Sequence, residues 1–451
     1  MRRDNDNLCA RSPRGMAFRG VFLVLILCMV GAGETSSVAQ SSRQGVDSGR
    51  TLHEIAPTGR WRTLKPTDRS SVMSDAQREE VERLRSIGYL SGTTPAPGRS
   101  GVTVHIPDRV QPGLNLYNSG HHAGAILATM DGRVLHEWEF PFLRAFPDSV
   151  RAAENNESAD FWRYVHVFEN GDALAIFEGL GLIKVDRNSR LIWAHAGGEH
   201  HALQVMDDGR IYVLTRKAHL IPRINSTAPV LEDFITILSS NGKVLRSVSV
   251  LDAFENSYFS TALTVHGMRR VGDLLHTNAV DVMDGRFSKR MPPYEKGNVL
   301  VSMRQIDMIA IIDMEREAVI WSGSGMWRAQ HDSKVLANGN IMLFDNKGQA
   351  GLSKVLEFNP ATQGITWAYL GEDDDPLYTG MCGAASRLPN GNTLITESDY
   401  GRALEVTPDG DVVWEYLNPA RAGGEGELIA TIFEMRRLPL DFGAGWLAGD
   451  R

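Results

Sequence analysis

The chain has 451 residues, room for about three domains of roughly 150 residues or for one closed repeat fold. Its 42% hydrophobic and 23% charged residues can build a sizeable core, and its 44 glycines exceed the roughly 7% of an average chain, so many tight turns are expected. A net charge of -8, from 47 Lys+Arg against 55 Asp+Glu, argues against general nucleic-acid binding, and three cysteines (Cys9, Cys28 and Cys382) exclude a disulfide scaffold or a Cys-rich zinc module.

The first element is a leader. Arg2, Arg3, Arg11, Arg14 and Arg19 precede an apolar run from Val21 to Val30, and small or polar residues follow. That order predicts a signal peptide over 1–33, with an uncleaved anchor as the alternative, because the run is shorter than the roughly 20 residues of a bilayer span. Export places the protein in the periplasm or outside the cell, touching a membrane only if the leader stays attached. Its removal leaves Cys382 alone, so no disulfide forms within the mature chain.

Residues 34–101 read as a polar, mostly irregular arm. It contains one helix near 74–90, where Ser74 offers a cap and Val81, Leu84, Ile87 and Leu90 recur at three-residue spacing. The expected role is a surface helix docked on the main domain.

From Gly101 the sequence repeats. A turn followed by an apolar pair, often ending in Trp, occurs at Asp131-Gly132, Asp186 to Trp193, Asn241-Gly242, Asp313 to Trp321, Asn359 to Trp367 and Asp409 to Trp414. Upstream of each lies a second turn-and-strand unit, at Gly113, Asn170-Gly171, Asp208-Gly209, Gly297-Asn298, Asn338-Gly339 and Asn390-Gly391. Asn-Gly and Asp-Gly between β-rich runs signal hairpins, because a type I′ turn needs φ > 0 at both central residues. Two hairpins per unit give a four-stranded sheet. Six units predict an all-β fold, a six-bladed β-propeller over 102–440, with 441–451 as a C-terminal tail. The stretch from Asp284 to Lys296 is longer than a hairpin turn needs and is expected to edge a substrate entrance.

A propeller by itself names no function, so the channel residues must. His201 and His331 each stand eight residues before a turn glycine, Gly209 and Gly339, and equivalent repeat positions should converge on the channel. Between them lie His276 and Asn278, two apart and so on one face of a strand, and the strand Val299 to Met303 ends at Arg304. Three His, an Asn and an Arg suit a tetrahedral oxyanion: guanidinium binds two oxygens, the amide donates, and neutral imidazole serves as nucleophile or base near pH 7. Three His also suit Zn²⁺ or another transition metal, which the Arg304 charge opposes. His136, His166, His195 and His219 read as ordinary surface or turn residues, and Cys382 has no His in register.

Leu114-Asn115-Leu116-Tyr117-Asn118-Ser119, His200-His201, Asp273 to Asn278, Ser302-Met303-Arg304 and Gln330-His331 through Phe344-Asp345-Asn346 resemble the bacterial arylsulfate sulfotransferases, over roughly residues 105–420. The resemblance implies a periplasmic six-bladed propeller that moves a sulfuryl group from a phenolic sulfate to another phenol through a sulfated histidine. It implies neither a cofactor nor a nucleotide (PAPS) sulfate donor. By motif the nucleophile is His331, with His201, His276, Asn278 and Arg304 as supporting residues, an aryl sulfate donor and a phenolic acceptor as partners, and ping-pong exchange as the kinetic form. The chain departs from the family in having only the polar arm where a separate N-terminal β-domain is expected, which leaves homodimer formation open. Two alternatives come from other classes: a non-catalytic exported propeller that binds a protein or glycan, and a metal-dependent propeller hydrolase or lyase.

Overall fold

A computed structural model describes residues 73–447 apart from 86–88, 151–155 and 350; the expected leader lies outside the described residues. Among these, no helix is long and apolar enough to cross a membrane. The described chain is built mainly of six sheets with four-stranded antiparallel cores, five of them from strands consecutive in the chain, beside a small three-stranded sheet of Thr94–Pro95, Leu428–Ile429 and Arg421–Ala422. In chain order the second to sixth begin with the strands Tyr164–Val167, Glu199–Val205, Thr277–Val282, His331–Val335 and Ala384–Arg387. The first sheet takes its equivalent strand, Ile432–Leu438, from the other end of the chain, where it pairs with Leu114–Ser119. This exchange had no signal in the local turn pattern, because the pairing joins residues more than 300 positions apart.

The middle of each second strand is buried on both faces. Successive residues point to opposite faces, so Val213 packs toward the second sheet and Leu214 toward the fourth. In the same way Leu300 and Val301 face opposite neighbours, as do Leu343 and Phe344. The core is thus a series of clusters between adjacent sheets, and the series returns on itself, since Trp414 and Leu394 of the sixth sheet pack with Tyr117 and Ile126 of the first.

The recurring Trp has a physical role. Trp138 Nε1 of the first sheet donates to Gly171 O of the second (2.8 Å), and Trp193 of the second donates to Ser240 O of the third (3.2 Å). Trp367 of the fifth donates to Pro408 O of the sixth (2.9 Å), and Trp414 of the sixth donates to Met130 O of the first (2.9 Å). Each ties a fourth strand to a turn of the next sheet. All six sheets also slip register at one equivalent place, between the third and fourth strands, the bulge that accommodates the repeated turn.

A cavity of about 220 Å³ is lined by all six first strands, through Tyr164, Gln204, Val280, Lys334, Ser386 and Arg436 among others. The arm helix spans Asp75–Arg85. Its cap is reciprocal: Gln77 N donates to Ser74 Oγ (3.2 Å) and Ser74 N to Gln77 Oε1 (2.9 Å), the S-x-x-Q form of a capping box. Val81 and Leu84 bury against Ala218 and Leu231 of the third sheet. Leu90, expected on the same apolar face, is exposed, and its neighbour Tyr89 is buried instead. Beyond the propeller strands, Trp446 near the C-terminus packs edge-on against Trp138, so part of the expected tail belongs to the core.

Candidate active site

His201, His276 and His331 lie at the start of three neighbouring first strands, which pack side by side. Their ring centroids are 4.9 Å (His201 and His276), 6.3 Å (His201 and His331) and 6.4 Å (His276 and His331) apart. The simple alternation expected of residues 276 and 278 does not hold. Each of the three strands slips register at the site, between His200 and Leu203, Thr277 and Ala279, and His331 and Lys334. Left-handed residues lie in or just before the slips, His201 (φ 56°), His276 (φ 54°) and Asp332 (φ 52°), at a cost of about 1–3 kcal/mol each. A bulge turns a side chain out of the plain pleat, and here it gathers imidazoles that a regular strand would spread over two faces.

His331 is 1% exposed and its two nitrogens have different fates. Asn346 Nδ2 donates to Thr379 O (2.9 Å) and Cys382 O (2.8 Å), which fixes the amide so that Oδ1 faces His331 Nδ1 at 2.7 Å. The ring proton therefore resides on Nδ1 and is donated to Asn346. Nε2 keeps its lone pair and has no hydrogen-bond partner although buried. Burial, above all, holds the His331 pKa well below the ordinary range; the Asn346 hydrogen bond opposes this, while the charges of His276, Arg304 and Arg163 add to it. The imidazole is neutral at pH 7.

His276 donates Nδ1–H to Asp273 Oδ2 (2.6 Å), and its backbone N donates to Asp273 Oδ1 (3.1 Å). Burial would raise the Asp273 pKa, but His276 outweighs it and keeps the carboxyl below its usual value. His201 N donates to Glu178 Oε2 (2.9 Å), and the other oxygen stands 3.3 Å from His201 Nδ1. The hydrogen-bond partner of Nδ1 is His200 Nδ1 at 2.8 Å; with the His201 proton on Nδ1, Nε2 accepts the Tyr89 hydroxyl hydrogen at 2.6 Å. Gly179 supports this corner: at φ +70°, a Cβ there would run into the Arg216 guanidinium. Burial is again the chief cause that keeps His201 and His200 well below the ordinary histidine pKa.

Arg304 opens a short 3₁₀ turn and its backbone N donates to His276 O (3.2 Å). Among the described residues its guanidinium makes no hydrogen bond or ion pair, and its charge acts on both His331 and Tyr89. Asn278 is placed differently from expectation: Nδ2 donates to Gln330 O (2.8 Å), the carbonyl just before His331, so it positions the backbone that leads into His331. One nitrogen each from His201, His276 and His331 lies within 4.8 Å of the others, a spacing that also fits a metal ion. Glu178, His200 and His201 form a second such group, while Arg304 and Arg163 add positive charge at His331.

The structure thus brings the rings of His201, His276 and His331 together, sets Arg304 beside His276 through its backbone, and turns the Asn278 amide to the Gln330 carbonyl. The residues missed were Tyr89, Arg163, Asp273, Glu178 and Asn346 as functional groups. Asn346 had a readable signal, since the Gly339 turn pairs His331 with Phe344 and brings Asn346 next to it. The long stretch after Asp284 does not edge this site. Tyr294 donates to Gly339 O (3.3 Å), at the far end of strands that begin at the histidines, about 20 Å away at 3.3 Å per residue.

No curated protein matches the sequence. Among solved structures the chain is similar to a protein of unknown function from Bacteroides caccae (14% identity, 72% of this chain and 98% of that chain, TM-score 0.46). It is also similar to a streptogramin B lyase (13%, 78% and 97%, TM-score 0.40) and to virginiamycin B lyase from Staphylococcus aureus (8%, 71% and 88%, TM-score 0.38). The model of the arylsulfotransferase (ASST) family matches residues 165–419, a span that holds His201, His276, Asn278, Arg304 and His331, and the chain belongs to that family.

Proposed function

We propose that this protein is an aryl sulfotransferase that needs no nucleotide sulfate donor and works by ping-pong exchange through a sulfohistidine at His331, on a six-bladed propeller exported by its leader. The closed series of six sheets and the cavity lined by their six first strands support the propeller reading. The observation that carries the function is the buried, unpartnered Nε2 of His331, with Nδ1–H held by Asn346.

His331 Nε2 attacks the sulfur of an aryl sulfate in line. The N–S bond forms as the S–O bond to the aryl group breaks, and the phenolate leaves with a proton from a protonated His276, whose charge Asp273 steadies. Sulfuryl transfer, like phosphoryl transfer, gathers charge on the equatorial oxygens, so positioning and electrostatics supply most of the rate. Arg304 is the free cation for those oxygens. A second phenol then loses its proton to His201 or His276 as its oxygen takes the sulfuryl group and the N–S bond breaks.

The test is 4-nitrophenyl sulfate with and without an added phenol. Steady release of 4-nitrophenol should require the phenol and give the parallel double-reciprocal lines of ping-pong kinetics. His331→Asn should reduce turnover by about 10⁴-fold or more, and a chelator should leave it unchanged. Undiminished transfer in His331→Asn rejects the assignment, and chelator-sensitive activity points to the metal-dependent reading.

A further inference from the structure

The arm places a phenol inside the site. The Tyr89 hydroxyl lies 2.6 Å from His201 Nε2 and 3.4 Å from His276 Nε2. The ring is 7% exposed, packed with Phe161, Phe433 and Cys382 and covered by the Arg163 guanidinium 5.1 Å from its centroid. The chain holds it there from both sides. The arm helix docks on the third sheet, while Ser91 N donates to Glu157 Oε2 (3.0 Å) and Ser91 O accepts from Thr431 N (2.9 Å). A Cβ on Gly120 would strike the Ser91 backbone, so this passage of the arm is fitted to the sheets beneath it.

An apolar slot for an aryl ring, two imidazole nitrogens at its hydroxyl and a third imidazole with a free lone pair nearby are what a phenolic acceptor requires. We propose that Tyr89 is itself an acceptor, a self-modification site on which the protein forms a tyrosine O-sulfate. This rests on the reading of His331 as the sulfuryl carrier. After an aryl sulfate has loaded His331, the Tyr89 oxygen bonds to sulfur and the N–S bond breaks with its electron pair returning to Nε2. The phenolic proton passes to His201 Nε2. Nothing beyond the aryl sulfate is consumed. Burial keeps the Tyr89 phenol protonated far above the usual range, so it reacts as the neutral phenol with proton transfer in the same step. Being tethered, it competes at high effective concentration with dissolved phenols for the loaded His331.

The experiment uses the full chain, 4-nitrophenyl sulfate and no added phenol, followed by tryptic digestion. The peptide Ser86 to Arg99 contains Tyr89 as its only tyrosine and no histidine, so its mass separates this site from His331. The expected result is one added sulfuryl group on that peptide, diminished by rising phenol and lost in His331→Asn. As a second measurement, the acceptor-free burst of 4-nitrophenol should reach about two equivalents per chain, falling to about one in Tyr89→Phe. A sulfated His331 peptide with working transfer to added phenol, but an unmodified Tyr89 peptide, overturns this inference and leaves the proposed function standing. Label on Tyr89 that persists in His331→Asn overturns the route through His331. Absence of any 4-nitrophenol release overturns both.

Discussion

The first strands of the second and fifth sheets occupy equivalent places in the repeat and both carry a histidine, yet only one sets its ring among other imidazoles. Tyr164–Val167 pairs with Ala173–Phe177 without a slip, and His166 rests edge-on against Phe168 with centroids 4.8 Å apart. Burial, aided by the charges of Arg436 and Lys184, lowers its pKa to about 4, so it too is neutral. His331–Val335 slips after its first residue, and there His331 meets Asn346 and two further imidazoles. The contrast shows that burial supplies neutrality at both places, while the bulge and the amide supply direction. A lone pair becomes useful only when the opposite nitrogen is pinned and the ring is aimed at a shared space.

The comparison predicts a graded set of effects. Breaking the pin should have the largest: Asn346→Ala frees the His331 tautomer and should lower transfer by about 10²–10⁴-fold, measured as 4-nitrophenol release in the presence of a phenol. Loss under threefold would mean that orientation by Asn346 matters little. An intermediate effect should appear in the pH dependence of stability. Folded His200, His201 and His331 resist protonation, whereas in the unfolded chain they bind protons near pH 6.5. The unfolded state therefore binds more protons below that value, and stability, full above about pH 6.5, should fall as pH decreases. Thermal melts from pH 8 to pH 5 check this, and His331→Asn should flatten the slope. The smallest effect belongs to the plain strand: His166→Ala should leave transfer within about twofold, because that ring packs on Phe168 and not among the three imidazoles. A large loss there would erase the distinction between the two strands.

Much of this contrast was legible in the residues. The Asn-Gly and Asp-Gly turns marked the hairpins because their backbone demands few other residues, and the common distance from His201 and His331 to their turn glycines put both at the same end of equivalent strands. The bulges were not legible, since a left-handed His or Asp has no compositional mark comparable to glycine. For that reason Asn278 was expected beside the substrate, and instead it holds the Gln330 carbonyl. Tyr89 was hidden for another reason. It lies one residue off the apolar stripe of the arm helix and reaches His201 across 112 positions of sequence, a contact that no local period encodes. Likewise Ile432–Leu438 completes the first sheet from the far end of the chain, a consequence of closure and not of any nearby turn.

The central claim is that the free nitrogen of His331 carries the sulfuryl group. Its most direct test is the mass of the tryptic peptide that begins at Ala329 and contains His331, taken after brief exposure to 4-nitrophenyl sulfate without a phenol and digested under conditions that keep acid-labile N–S bonds intact. The account predicts one added sulfuryl group on that peptide, removed when a phenol is supplied. An unmodified His331 peptide, while 4-nitrophenol is released and a phenol is sulfated, would contradict it.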